Sequence, residues 1–161
     1  MNEKTEKKHN NIELLIFGII SCILTAYLTV LLENWCDYSF HTLRYKLFIS
    51  IPIGGFLVGM GTSSGFYFGV KHFNFKMSNI TTLVLFILPI VSYILIEYLY
   101  FHNLMVDGIR ISERISFLKY QELLYTKNNY DLGNLALQIA ASSFGGAAIY
   151  GFISEVTEQK K

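Results

Sequence analysis

LFISIPIGGFLVGMGTSSGFYFGV, residues Leu47–Val70, runs for 24 residues without an Asp, Glu, Lys or Arg. A bilayer's hydrocarbon core is about 30 Å thick and a helix rises about 1.5 Å per residue, so roughly 20 apolar residues span it. Backbone polar groups in lipid must pair within their own segment, which makes such a run a helix. Three more uncharged runs flank it: Leu14–Leu32 with 19 residues, Met77–Ile96 with 20 and Leu132–Ser154 with 23. Together the four occupy just over half of a 161-residue chain. Buried core helices of a soluble domain are shorter and carry a polar face.

Composition agrees. Apolar residues make up 52% of the chain, charged residues 16%, and mean hydropathy is +0.39. Soluble domains carry about 25% charged residues. A formal net charge of +1 offers no electrostatic footprint for nucleic acid. The expected fold is an all-α membrane protein: four transmembrane helices in one bundle, forming a single integral membrane domain. The expected spans are about 12–33, 47–70, 79–101 and 133–154. The N-tail is 1–11, the C-tail 155–161, and the loop 102–132 holds an interfacial helix at about 109–126.

Lys4, Lys7 and Lys8 before the first run resemble a signal-peptide n-region. The apolar stretch exceeds a typical h-region, and Thr29-Val30-Leu31-Leu32-Glu33 has no small-residue cleavage site, so a retained span is expected. Lys and Arg number 7 on the side holding both termini and 6 on the other. Lys71 and Lys76 bracket a very short loop, which tips both termini toward the cytoplasm. The abundance of Asn, Lys, Ile, Tyr and Phe suits an AT-rich bacterial genome, and the expected location is a bacterial inner membrane.

Aromatic residues gather at the span ends. Trp35, Tyr38, Phe40, Tyr45, Tyr98, Tyr100 and Phe101 would mark one interface, and Phe66, Tyr67, Phe68, Phe73, Phe75, Tyr150 and Phe152 the other. The second span holds Gly54, Gly55, Gly59, Gly61, Gly65 and Gly69. Each glycine in a helix interior costs about 1 kcal/mol relative to Ala in water-based scales, so six call for a reason. Gly55-x-x-x-Gly59 and Gly61-x-x-x-Gly65-x-x-x-Gly69 are small-xxx-small patterns that let backbones approach in lipid. In the fourth span Ala140, Ser143, Ala147 and Gly151 lie on one continuous small-residue stripe. The second and fourth spans are therefore expected to pack through these residues, within one chain or between copies. The first and third spans carry the bulky Leu, Ile, Phe and Val and are expected to face lipid.

Polar residues near the membrane are few. Glu33, Glu97, His41 and His102 would gather at one end of the bundle, where carboxylates and imidazoles can hold a cation or relay a proton. Pro89 is expected to kink the third span. Ser63, Ser64, Ser142 and Ser143 have no sequence-near base and are expected to bond between helices or to their own backbone. Histidine and cysteine spacing match no metal motif, phosphate loop or nucleophile–base set. No enzyme activity, cofactor, metal or catalytic residue is expected. The expected partners are the lipid bilayer and either further copies of the chain or another membrane protein. The leading functional expectation is a homo-oligomeric transport or pore-forming subunit. The alternative is a non-catalytic regulatory, assembly or immunity-type subunit that binds another membrane protein.

Overall fold

The computed structural model describes residues 3–35, 53–106, 108–127 and 132–159. These residues form helices α1 (Glu3–Trp35), α2 (Ile53–Phe73), α3 (Asn79–Asn103), α4 (Phe117–Lys127) and α5 (Leu132–Gln159). A two-stranded ribbon, β1 (Met105–Val106) with β2 (Ile109–Arg110), and a 3-10 turn at Ile111–Glu113 join α3 to α4. The 33 residues of α1 reach about 50 Å, so this helix outruns a hydrocarbon core at one or both ends. The segment 3–10, expected as a tail, continues the helix.

Among the described residues three segments are long and apolar enough to cross a membrane: Asn11–Leu32, Asn79–Asn103 and Ala136–Gln159. Helix α2 has the length, at 21 residues, but its glycines and Thr62, Ser63 and Ser64 dilute its apolarity. It begins at Ile53. The expected start at residue 47 falls outside the described residues.

Local chemistry makes the reversal between α2 and α3. Asn74 takes φ 58, and the Phe75 N–H donates back to the Gly69 carbonyl at 3.4 Å. That bond ties the chain back to the last turn of α2, with Asn74 in the left-handed place usually held by Gly. Ser78 then opens α3 with a capping box. The Thr81 N–H donates to Ser78 Oγ at 3.3 Å and the Ser78 N–H to Thr81 Oγ1 at 2.7 Å.

The helices run alternately up and down, as the core shows. Leu14 and Cys22 of α1 and Leu85 and Leu88 of α3 meet Phe66 and Val70 of α2 and Ile149 and Ile153 of α5. Toward the other end, Ala26 and Val30 pack with Val58, Tyr93 and Ile96. Helix α2 packs against α1, α3 and α5, and its closest association is with α5. The bulky surface lies on α1 and α3. Ile16, Ile20, Leu24 and Leu28 are exposed along α1, and Ile80, Leu83, Ile87, Val91 and Ile94 along α3. Continuous apolar faces of this kind exceed what a soluble monomer normally shows to water.

Pro89 sits inside α3 and lacks the N–H that would bond the Leu85 carbonyl. Ser63 Oγ of α2 donates to that carbonyl at 3.4 Å, a long bond that satisfies an otherwise orphaned acceptor. Nearby, Cys22 Sγ donates to the Leu88 carbonyl at 3.8 Å and Ser92 Oγ donates to the Cys22 carbonyl at 3.5 Å. Cys22 is buried and free. Cys36 lies outside the described residues.

Two sequence expectations need correction here. The loop between the third and fourth spans is not helical from 109. Gly108 adopts φ 77 in the turn of the β1–β2 hairpin, and α-helix begins only at Phe117. Asp107-Gly108 between apolar residues is a strong short-range hairpin signal in the sequence. Phe66 is also not at an interface. It is fully buried with its ring against Gly18. Position along a span placed it near the headgroups, but its face of the helix put it in the core. Phe68, Phe73 and Phe152 do sit exposed at that end. Phe17 joins Phe68 and Phe73 there, with ring centroids 5.8 and 5.3 Å away.

Candidate functional site

The glycines of α2 divide between two neighbours. A methyl group built on Gly55 would lie 2.8 Å from Gln138 Oε1, and one on Gly59 would lie 2.7 Å from the Ser142 carbonyl carbon, both on α5. On another face, a methyl group on Gly61 would lie 2.9 Å from Thr25 Oγ1, one on Gly65 2.6 Å from Ser21 Oγ and one on Gly69 2.7 Å from Leu14, all on α1. The wide small-residue arc thus accommodates two backbones. Gly145 of α5 returns the contact against Met60 and Phe56. Ser21 Oγ donates across the seam to the Thr62 carbonyl.

The small stripe chosen on the fourth span does not face this seam. Ala140 and Ala147 are exposed, Ser143 is half-buried, and a methyl group on Gly151 would meet nothing within 4 Å. The seam side of α5 carries Gln138, Ala141, Ser142 and Gly145 instead, all buried. The reason is Phe144, which lies four residues after Ala140 and three before Ala147. It shares their face and is 70% exposed. A ring of that size prevents close backbone approach, so the helix turns its ring-free side to α2. Ser142 and Ser143 Oγ donate to the Ile139 carbonyl at 2.7 and 3.3 Å, and Ser64 Oγ donates to Gly61 at 2.6 Å. These hydroxyls serve their own helices.

One end of the bundle is polar inside. Gln138 is 1% exposed, and its Oε1 accepts from the Gly55 N–H at 2.9 Å. Gly55 lies in the first turn of α2, where N–H groups lack helical partners, so Gln138 caps this helix from a neighbouring one. Its Nε2 has no hydrogen-bond partner in the structure. Glu97 and Tyr93 of α3 are buried toward this end, on the face with Phe101. An ionisable residue so placed in a membrane bundle is a functional candidate by default.

The expected cation or proton set is only partly brought together. Glu97 faces the interior. His102 lies five residues later, about 140° round the helix. It is half-buried against Tyr98, with ring centroids 4.5 Å apart. It therefore belongs to an aromatic group rather than to the Glu97 face. Phe101 joins that group, 5.5 Å from Phe117 and 5.1 Å from Tyr120, and these rings hold α4 against the end of α3. The Glu33 side chain and His41 lie outside the described residues. Among the described residues no group of three His, Cys, Asp or Glu side chains is placed to hold a metal ion.

No protein-family model, curated protein or solved structure matches the chain. Residues, geometry and chemistry alone carry its functional reading. Gln138 is the polar residue that pattern reading left out of the candidate set. Its signal was present: a lone glutamine amid Ala, Ser and Gly, with no reason to be there unless it bonds another backbone.

Proposed function

We propose that the chain is a small multi-pass membrane protein in which α2 is a fourth span beside the three apolar helices. It works as a homo-oligomeric transport or pore-forming subunit, with any conduit lying outside the α1–α2 and α2–α5 seams. The observation that supports this arrangement is the filled interior. Backbone and small side chains close the α1–α2 and α2–α5 seams, leaving no glycine-lined channel along them. Glu97 and Gln138 supply the interior polar groups that a cation or proton pathway needs. The outer face of α5 would meet the next copy. Both termini lie on the cytoplasmic side of a bacterial inner membrane.

The same filled interior favours a second reading, a non-catalytic regulatory, assembly or immunity-type subunit of another membrane protein. Mass by light scattering in detergent, together with cation flux in liposomes, separates the two. An oligomer that conducts, and loses flux in Glu97→Gln, supports the first reading. A monomer without flux refutes it and leaves the second.

A further inference from the structure

The α2–α3 turn and the last turns of α5 enclose an open cleft of about 850 Å³. That volume falls within the range of small-molecule sites, about 300–1,000 Å³. Its floor is apolar. Val70 and Ile153 belong to the buried core, and Met77 packs beside them. Its rim is polar and divided by charge. Lys76 stands on the turn, and Glu158 stands on the α5 wall with Ser154 and Thr157. Lys76 and Glu158 form no ion pair with each other.

The α5 wall is an acceptor wall. Ser154 Oγ donates to the Gly151 carbonyl at 2.8 Å and Thr157 Oγ1 to the Ile153 carbonyl at 2.8 Å. Each hydroxyl has committed its proton to its own helix and keeps lone pairs for an incoming donor. A complementary ligand carries an N–H cation for this wall, an anion for Lys76, and an apolar body for the floor. A phosphoethanolamine lipid has all three. A phosphocholine head lacks N–H donors, and a phosphoglycerol head lacks the cation. The cleft also lies where the uncharged runs of α2 and α5 give way to Lys71 and Glu155, the level at which lipid headgroups sit.

We propose that this cleft binds one phosphoethanolamine phospholipid, with its phosphate at Lys76, its ammonium at Glu158 and its acyl chains over Val70, Met77 and Ile153. The proposal rests on the membrane reading above. Native mass spectrometry tests it on the full chain released from mixed micelles. The micelles hold equal phosphoethanolamine, phosphocholine and phosphoglycerol lipids with identical acyl chains. One phosphoethanolamine lipid should be retained about threefold over either competitor, the scale of an exposed charge contact. Glu158→Gln should erase that preference, while Lys76→Gln, which faces the phosphate that all three lipids share, should lower retention of all three. Both positions are exposed, so the fold should survive. Leu83→Ala, on the outer face of α3, should keep it. Equal retention of the three lipids, or an unchanged preference in Glu158→Gln, overturns the proposal. So does displacement of the lipid by soluble phosphoethanolamine at the same concentration, which would make the head alone the ligand. Extraction of the chain from vesicles by alkaline carbonate without detergent would overturn the membrane reading itself, a result independent of headgroup preference.

Discussion

Replacing Gly59 and Gly151 with alanine puts the same methyl group on two helices and should move stability in opposite directions. At Gly59 the new Cβ would lie 2.7 Å from the Ser142 carbonyl carbon and 2.9 Å from its Cα, and closer still to the carbonyl oxygen. Ordinary contact begins near 3.4 Å. Helices α2 and α5 must therefore separate by about 1 Å, and a gap of that size forfeits a quarter to a half of each dispersion contact along the seam. Backbone, unlike a side-chain tip, cannot swing away. The cost should fall at the upper end of overpacking, about 3 kcal/mol. The helix propensity of alanine offsets about 1 kcal/mol of that, leaving a net loss of about 2 kcal/mol. At Gly151 the methyl group meets nothing within 4 Å. Only the propensity gain remains, so Gly151→Ala should stabilise by up to about 1 kcal/mol. The gap between the two variants is then about 3 kcal/mol. Thermal exposure of the buried Cys22 thiol to a fluorogenic maleimide, in a Cys36→Ser background, reports unfolding in micelles. Unfolding in a dodecyl sulfate titration gives the free energy. If Gly59→Ala proves as stabilising as Gly151→Ala, the α2–α5 seam is not in backbone contact and the reasoning is wrong.

Further outcomes follow from other contacts. Ser63→Ala should cost about 1 kcal/mol by orphaning the Leu85 carbonyl, and a double-mutant cycle with Pro89→Ala, which restores the helical N–H, should recover part of that loss. Gln138→Ala removes the cap on the Gly55 N–H and should cost about 1–2 kcal/mol, with faster hydrogen exchange at the start of α2; unchanged exchange there would dismiss the cap. Phe101→Ala should release α4 from the end of α3, read as protease cleavage within 117–127 while the other helices stay protected. Glu97→Gln should abolish proton- or cation-coupled flux in liposomes; unchanged flux would remove Glu97 from any pathway.

Much of the architecture was readable before any coordinates. The bulky faces of α1 and α3 and the self-bonding serines follow from residue type and helical period. The α4 region failed for a specific reason. Helical periodicity assumes one continuous helix, but Ile109–Arg110 pair as a strand and Ile111–Glu113 form a 3-10 turn before helix begins at Phe117. The face of α5 failed for another. Small residues surround that helix almost completely, so periodicity could not select a side, and Phe144 was not weighed as an obstacle. For the candidate site, the interior place of Glu97 was legible from the face it shares with Tyr93 and Phe101. The separation from His102 follows from the same 100° step, but was masked by their nearness in sequence.

By itself the sequence determined that this chain is built from long apolar helices, because uncharged runs of about 20 residues have one way to satisfy their backbones in lipid. It also determined that α2 would be approached closely, since six glycines leave room and little else. Tertiary structure decided who approaches. Gly55 and Gly59 admit α5, Gly61, Gly65 and Gly69 admit α1, and Gln138 reaches across to cap α2. Those choices depend on where bulky rings on other helices can go, and helical period within one segment carries no information about its neighbours.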